Sequence, residues 1–181
     1  MMRLLLACIA LTVAAASAVG AHTSPDEEAV RNLPLAFCAA FNDHDGHELA
    51  KIMADDVDFV TVGAFWIHGR PDFEKYHTRM LTGRFAGIKS EPLHIALRFL
   101  RPDIAIIHWS WTALGDKNVD GTARQRRYGM MTMVAEKRNG IWLVVASQND
   151  DADPTISPEM EGITPPIPIP GPGQGTPRAD R

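Results

Sequence analysis

Arg124-Gln125-Arg126-Arg127-Tyr128-Gly129-Met130-Met131-Thr132-Met133-Val134-Ala135-Glu136-Lys137, then Arg138-Asn139-Gly140, then Ile141-Trp142-Leu143-Val144-Val145-Ala146-Ser147-Gln148-Asn149, is the stretch that decides the fold. Two long strand-like runs flank an Asn-Gly pair, the dipeptide that tolerates positive φ at both centres of a tight hairpin turn. Working back, Ile104 to Leu114 reads as a strand, Arg101-Pro102-Asp103 as a turn and Leu93 to Leu100 as the strand before it. A polar loop, Gly115 to Gly121, joins the two hairpins. The C-terminal half is therefore a meander of four antiparallel strands.

Helical signals come before it. Ser24-Pro25-Asp26-Glu27 combines a capping serine, a proline at the first helical position and a glutamate that closes a capping box. Ala29, Val30, Leu33, Phe37, Ala40 and Phe41 follow at helical spacing. Pro34 is expected to kink this helix or split it. Asp45 and Glu48 form a second capping box before Leu49, Ile52 and Met53. Val57 to Val62 reads as a strand, and Phe65 to His68 as its short return. Gly69-Arg70-Pro71 opens a third helix whose stripe is Phe73, Tyr76, His77, Met80 and Leu81, ending at Gly83. The expected fold is α+β, with three N-terminal helices and a strongly curved, mainly antiparallel sheet wrapped around the long helix.

Composition sets the boundaries. The chain has 181 residues, 45% hydrophobic, with 18 basic against 22 acidic side chains. The net charge of −4 offers no basic excess for a phosphate backbone, so no nucleic acid partner is expected. Residues 1–21 read as a secretory signal: Arg3, then the apolar run Leu4 to Ala16, then small residues at Ala16-Ser17-Ala18 and Val19-Gly20-Ala21. The run is short of the ~20 residues of a spanning helix. An exported protein, periplasmic or secreted, with no stable membrane anchor after cleavage is expected. Cleavage removes Cys8 and leaves Cys38 without an intramolecular partner; it reads as a buried small hydrophobe. Residues 22–151 form the candidate domain. Residues 152–181 hold eight of the thirteen prolines, and Thr164-Pro165-Pro166-Ile167-Pro168-Ile169-Pro170 reads as a disordered or polyproline tail that could engage a protein partner.

The order of elements and several sequence words resemble the NTF2-like superfamily, specifically its SnoaL-like branch and the SgcJ/EcaC type within it. The words are Ala40-Phe41-Asn42-Asp43-His44-Asp45, Asp55-Asp56-Val57-Asp58-Phe59-Val60, Trp66-Ile67-His68-Gly69-Arg70, the hairpin Arg98 to His108, Arg126-Arg127-Tyr128-Gly129-Met130-Met131-Thr132, and Gly140-Ile141-Trp142 through Ser147-Gln148-Asn149. The resemblance covers about residues 26–150. It implies an α+β cone with a pocket at its open end, and a homodimer formed through the sheet. It also implies a superfamily that includes isomerases, cyclases, dehydratases and non-catalytic binding modules. The SgcJ/EcaC type often carries an oxidoreductase label. There is no Gly-rich dinucleotide loop and no redox cysteine pair here, so no cofactor is expected.

Candidate chemistry lies on the strands. Relatives in the superfamily place a catalytic carboxylate on or just beyond the first strand, which singles out Asp58; a raised pKa would let it move a proton at carbon. The plainer reading is an exposed aspartate. Thr61 is an equal lining candidate. Trp66 and His68 alternate, so they share a face, as a pocket wall with a titratable group or as a rim pair. His108 and Ser110 share one face of their strand, and Trp109 and Trp111 the other. His108 is expected to face inward, leaving the tryptophans for a dimer contact; the opposite assignment makes the tryptophans pocket walls, and periodicity alone does not choose between them. Arg126 facing inward would hold a carboxylate or enolate oxygen. Gln148 and Asn149 end the last strand at the rim. His44 and His47 sit among carboxylates, but capping already accounts for Asp45 and Glu48, so no metal site is assigned. Asp58, Trp66, His68, His108 and Gln148 around an apolar cavity, with Asp58 and His108 catalytic, would suit cofactor-free isomerisation, cyclisation or dehydration of a small apolar molecule. A non-catalytic dimeric ligand-binding or association module is the alternative.

Overall fold

A computed structural model describes residues 24–153 together with Thr155, Thr164 and Pro166. The expected signal segment and almost all of the expected tail lie outside the described residues. Helix α1 (Pro25–Asn42) starts as expected, with Ser24 Oγ accepting the backbone N–H of Glu27 at 3.1 Å. The Glu27 carboxylate turns forward to Arg31 at 3.2 Å and forms an i,i+4 ion pair. Pro34 does not split the helix. It sits buried on the face that also carries Val30, Leu33, Phe37, Cys38 and Ala40, and packing of that face outweighs one missing hydrogen bond.

Helix α2 (Gly46–Ala50) is capped by Asp45, which accepts the Glu48 N–H at 2.9 Å. Helix α3 (Arg70–Thr82) buries Phe73, His77 and Leu81 at i, i+4 and i+8. The strands are β1 (Met53–Val60), β2 (Trp66–His68), β3 (Lys89–Arg101), β4 (Ile104–Leu114), β5 (Arg127–Arg138) and β6 (Ile141–Asp151). Asn139 and Gly140 take φ of 52° and 84° in the turn between β5 and β6, as an Asn-Gly hairpin requires.

The six strands form one sheet in the order β2-β1-β6-β5-β4-β3. Four pairings are antiparallel, and β1 lies parallel to β6. This corrects the expected architecture. The sheet is open, with β2 at one edge and β3 at the other, and it is neither closed nor a strongly curved cone. Alternation along a strand reports that a sheet has two faces but carries no information on how far the sheet bends. β3 starts at Lys89 and includes Pro92, which an edge strand tolerates because one row of its backbone groups has no ladder to join. β5 starts at Arg127, not Arg124, because the preceding loop folds on itself through Arg124 N–H to Asp116 O at 3.0 Å.

Among the described residues the helices cover one face of the sheet. Phe37, Phe59, Phe73, Trp109, Met131, Met133 and Val144 are buried between them and the sheet. The end of α1 is tied to the β3 edge by an amide clamp: Asn42 Nδ2 donates to Ser90 O at 2.8 Å, and its Oδ1 accepts the Ser90 N–H at 2.7 Å. Asn42→Ala strands both backbone groups. It is expected to cost about 2 kcal/mol in a urea denaturation series. Among the described residues no helix is long and apolar enough to cross a membrane.

Candidate functional site

Between the helices and the covered sheet face lies a cavity of about 60 Å³. About 10–15 Å³ of such space admits one water, so it holds roughly four to six waters, the bulk of a single small ring. Its walls are aromatic: Phe37, Phe41 and Phe59 from the α1–β1 side, Trp109 and Trp111 from β4. The rings interlock, with Phe37 5.9 Å from Trp109 and 6.4 Å from Phe59. Polar atoms enter from Thr61, Tyr76, His77, Ser90, Arg127 and Asn149.

His77, 5% exposed, is one of the lining residues. Its ring is 4.0 Å from that of Phe73 and 5.3 Å from that of Phe59. Nδ1 lies 2.9 Å from the Phe73 carbonyl, which can only accept, so Nδ1 carries the hydrogen and Nε2 keeps its lone pair. Burial pushes its pKa down to about 4. The imidazole is therefore neutral at neutral pH. Arg127 also lines the cavity, its guanidinium 5.4 Å from the centroid of the Trp111 ring. Asp116, 1% exposed, accepts from Arg127 at 2.9 Å and from Arg124 at 3.4 Å. Asp151 also pairs with both arginines. Trp111 Nε1 donates to Asn149 Oδ1 at 2.9 Å, which holds the indole across the wall.

Of the residues singled out from sequence, Thr61 and Asn149 line this cavity. Thr61 Oγ1 accepts the N–H groups of Gly63 and Phe65, both at 3.2 Å, and so shapes the β1–β2 turn. The other five strand residues assemble elsewhere. Asp58, Trp66, His68, His108 and Gln148 share the sheet face that no helix covers. Asp58 Oδ1 accepts from His68 Nδ1 and Trp66 Nε1, each at 2.8 Å. These two hydrogen bonds, that of His68 first, lower the Asp58 pKa, opposite to the raised value expected of a proton-transferring carboxylate. His108 is exposed and bonds Thr132 Oγ1 at 3.0 Å. Its inward orientation is corrected: Trp109 and Trp111 take the covered face, because two indoles bury more apolar area than imidazole and hydroxyl. Gln148 donates to Asp150 at 3.2 Å, and a shallow groove on this face runs between Trp66, Val60, Val134 and Ala146. Arg126 is exposed before β5 and reaches Thr112 Oγ1 at 3.4 Å; the cavity-lining arginine is Arg127, one residue on. At the α1–α2 corner, His47 pairs with Glu74 at 3.0 Å.

Trp109 and Trp111 line the cavity by the alternative assignment of their strand, while His77, Tyr76 and Arg127 are the site residues that sequence reasoning passed over. A signal existed for His77, a titratable residue in the middle of the apolar stripe Phe73–His77–Leu81. Arg127 shares its strand face with Gly129, Met131 and Met133, opposite to Arg126, and becomes the lining arginine because the helices cover that face.

Three helices over an open, mainly antiparallel mixed sheet, with an aromatic cavity between the layers, define an NTF2-like α+β domain. Residues 35–145 match the SnoaL-like domain family, and the chain belongs to it. Among solved structures it is similar to a protein with a cystatin-like fold from Caulobacter vibrioides, at 24% identity over 74% of this chain and 96% of that one, TM-score 0.69. It is also similar to a hexachlorocyclohexane dehydrochlorinase from Novosphingobium barchaimii, at 17% identity over 71% and 87% of the two chains, TM-score 0.64. A third is a putative scytalone dehydratase from Novosphingobium aromaticivorans, at 16% identity over 71% and 85%, TM-score 0.61. These likenesses are of fold. No curated protein matches the chain.

Proposed function

We propose that this is an exported protein whose cavity takes one small, mainly apolar molecule, with His77 as a cofactor-free general base of isomerase, cyclase or dehydratase type. The buried neutral imidazole in an aromatic cavity carries this reading. Nδ1 is committed to the Phe73 carbonyl, which leaves Nε2 to accept a proton from carbon. The proton can return to a second carbon, giving isomerisation, or a leaving group can depart, giving elimination. Two of the similar structures are named for eliminations, a dehydratase and a dehydrochlorinase. Asp58, tied to His68 and Trp66 on the other face, is released from the catalytic role the sequence suggested for it. The narrower SgcJ/EcaC-type assignment rests on the sequence words alone, and no residue here supports an oxidoreductase label.

The test is deuterium exchange at the α-carbons of cyclohexanone in heavy water, followed by proton NMR. Wild type is expected to accelerate exchange, and His77→Phe to remove about 100-fold or more of that acceleration. Equal rates in the two proteins would sink the assignment of His77. Export is tested by cell fractionation with N-terminal sequencing: a chain beginning after Ala18 or Ala21 supports it, and a full-length cytosolic chain overturns it.

The uncovered sheet face favours a second reading. Trp66 is 69% exposed there beside Val60, Val134 and Ala146. Such a face suits a homodimeric, non-catalytic association module, with the Pro-rich tail engaging a further protein. Sedimentation of wild type as a monomer would remove the dimer.

A further inference from the structure

A second group of side chains stands on the sheet face opposite the cavity. There an open groove of about 400 Å³ runs between Asp58, Val60, Trp66, Val134, Ala146 and Gln148. That volume suits a small organic molecule. Val60, Val134 and Ala146, from β1, β5 and β6, make an apolar floor. Trp66 is the wall and is 69% exposed. Its indole is held in place: Nε1 donates to Asp58 Oδ1 at 2.8 Å, and the His68 ring stands at 62° to it with centroids 6.2 Å apart. Asp58 Oδ1 takes the bonds from both rings, while Oδ2 accepts none among the described residues. The side chain is half exposed, and the same two bonds lower its pKa, so the carboxylate is ionised at neutral pH and open to the groove. None of the buried atoms left without a partner belongs to this group.

The charge of the groove selects its occupant. No lysine or arginine lines it. Arg138 is committed to Asp56 and Glu136. Arg98 stands on β3, four strands from β1 and therefore about 19 Å away. Asp150, which accepts from Gln148 Nε2 at 3.2 Å, adds a second carboxylate at the rim. An anion would face both carboxylates, and a neutral molecule would gain only the floor. An organic cation gains the floor, the Coulomb attraction of Asp58 and the negative face of the indole. The bond from Nε1 to a carboxylate polarises that indole and strengthens its face. A quaternary ammonium carries its charge on methyl groups, so it loses little hydration on entering.

We infer that this groove binds a small molecule of the quaternary ammonium class, with its methyl groups on the Trp66 face and its charge beside Asp58. The site is separate from the cavity and does not depend on it. It uses the face that a dimer would cover, so binding and dimerisation compete.

Three probes of one shape test it: choline, its carbon isostere neohexyl alcohol, and the anion of tert-butylacetic acid. The readout is the indole N–H resonance of Trp66 in proton–nitrogen correlation NMR, identified by its loss in Trp66→Phe. Choline is expected to move this resonance saturably, with a Kd below about 10 mM and about tenfold tighter than neohexyl alcohol, the anion being weakest. Asp58→Asn should bring choline down to the level of the alcohol. Equal affinity for choline and the alcohol would overturn the assignment of a cation. Tightest binding by the anion would overturn the charge argument. A Trp66 resonance that choline leaves unmoved would overturn the site, and sedimentation of that sample as a dimer would give the face to a second copy instead. The comparison among probes on wild type decides the matter even where a variant fails to fold.

Discussion

Gly129→Ala is expected to lower stability by about 2–3 kcal/mol in urea denaturation and to change the tryptophan emission spectrum. Gly129 of β5 sits directly opposite Trp111 of β4. A Cβ at Gly129 would lie 2.1 Å from Cζ2 of Trp111 and 2.3 Å from the Asp150 carbonyl oxygen. The carbonyl belongs to β6, so the substitution must both shift the indole and strain the β5–β6 pairing. Trp111 is nearly fully buried and held by Asn149, so it has little room to shift. The cavity wall is lost with it, and ligand affinity should fall alongside stability. An alanine variant as stable as wild type, with an unchanged spectrum, would mean that Trp111 does not cross Gly129 in solution.

The second large effect is in pH. His77 has its pKa lowered from 6.5 to about 4 in the folded protein. Below 6.5 the unfolded chain takes up a proton that the folded one refuses, so stability falls as pH drops from about 6.5 to about 4 and levels off below. The full difference is about 3 kcal/mol. His77→Phe keeps the ring stack with Phe73 and Phe59 and removes the titration. Its stability should therefore be flatter than wild type across this window. Thermal melts of both proteins at a series of pH values measure the difference. Parallel curves would show that His77 titrates normally and is not enclosed.

These effects converge on a cavity that the sequence outlined only partly. Thr61 and Asn149 were legible as lining residues from their places at strand ends. Asp58, Trp66, His68, His108 and Gln148 were expected around the apolar cavity, and the structure places them together on the other face of the sheet. The cause is local: an alternating strand states which residues go together, and the choice between covered and uncovered sides depends on the helices. Trp109 and Trp111 against His108 and Ser110 shows this directly, since either pair could have been inward on periodicity alone. Arg126 and Arg127 show the same thing: they take opposite faces at the start of β5, and the face that carries Trp109 and Trp111 on β4 makes Arg127 the lining residue.

The amino-acid order by itself determined the caps at Ser24 and Asp45, the Asn139-Gly140 hairpin, the apolar stripe of α3 and the two sides of every strand. All of these depend on interactions within a few residues. The tertiary structure alone decided that β1 lies parallel to β6, that the sheet stays open, and that the helices cover the tryptophan face. It also brought His77 of α3 and Arg127 of β5 to one cavity, a meeting of residues 50 positions apart in the chain. No local rule specifies such a meeting, because the burial of aromatic side chains from α1, β1, α3 and β4 in one layer sets it.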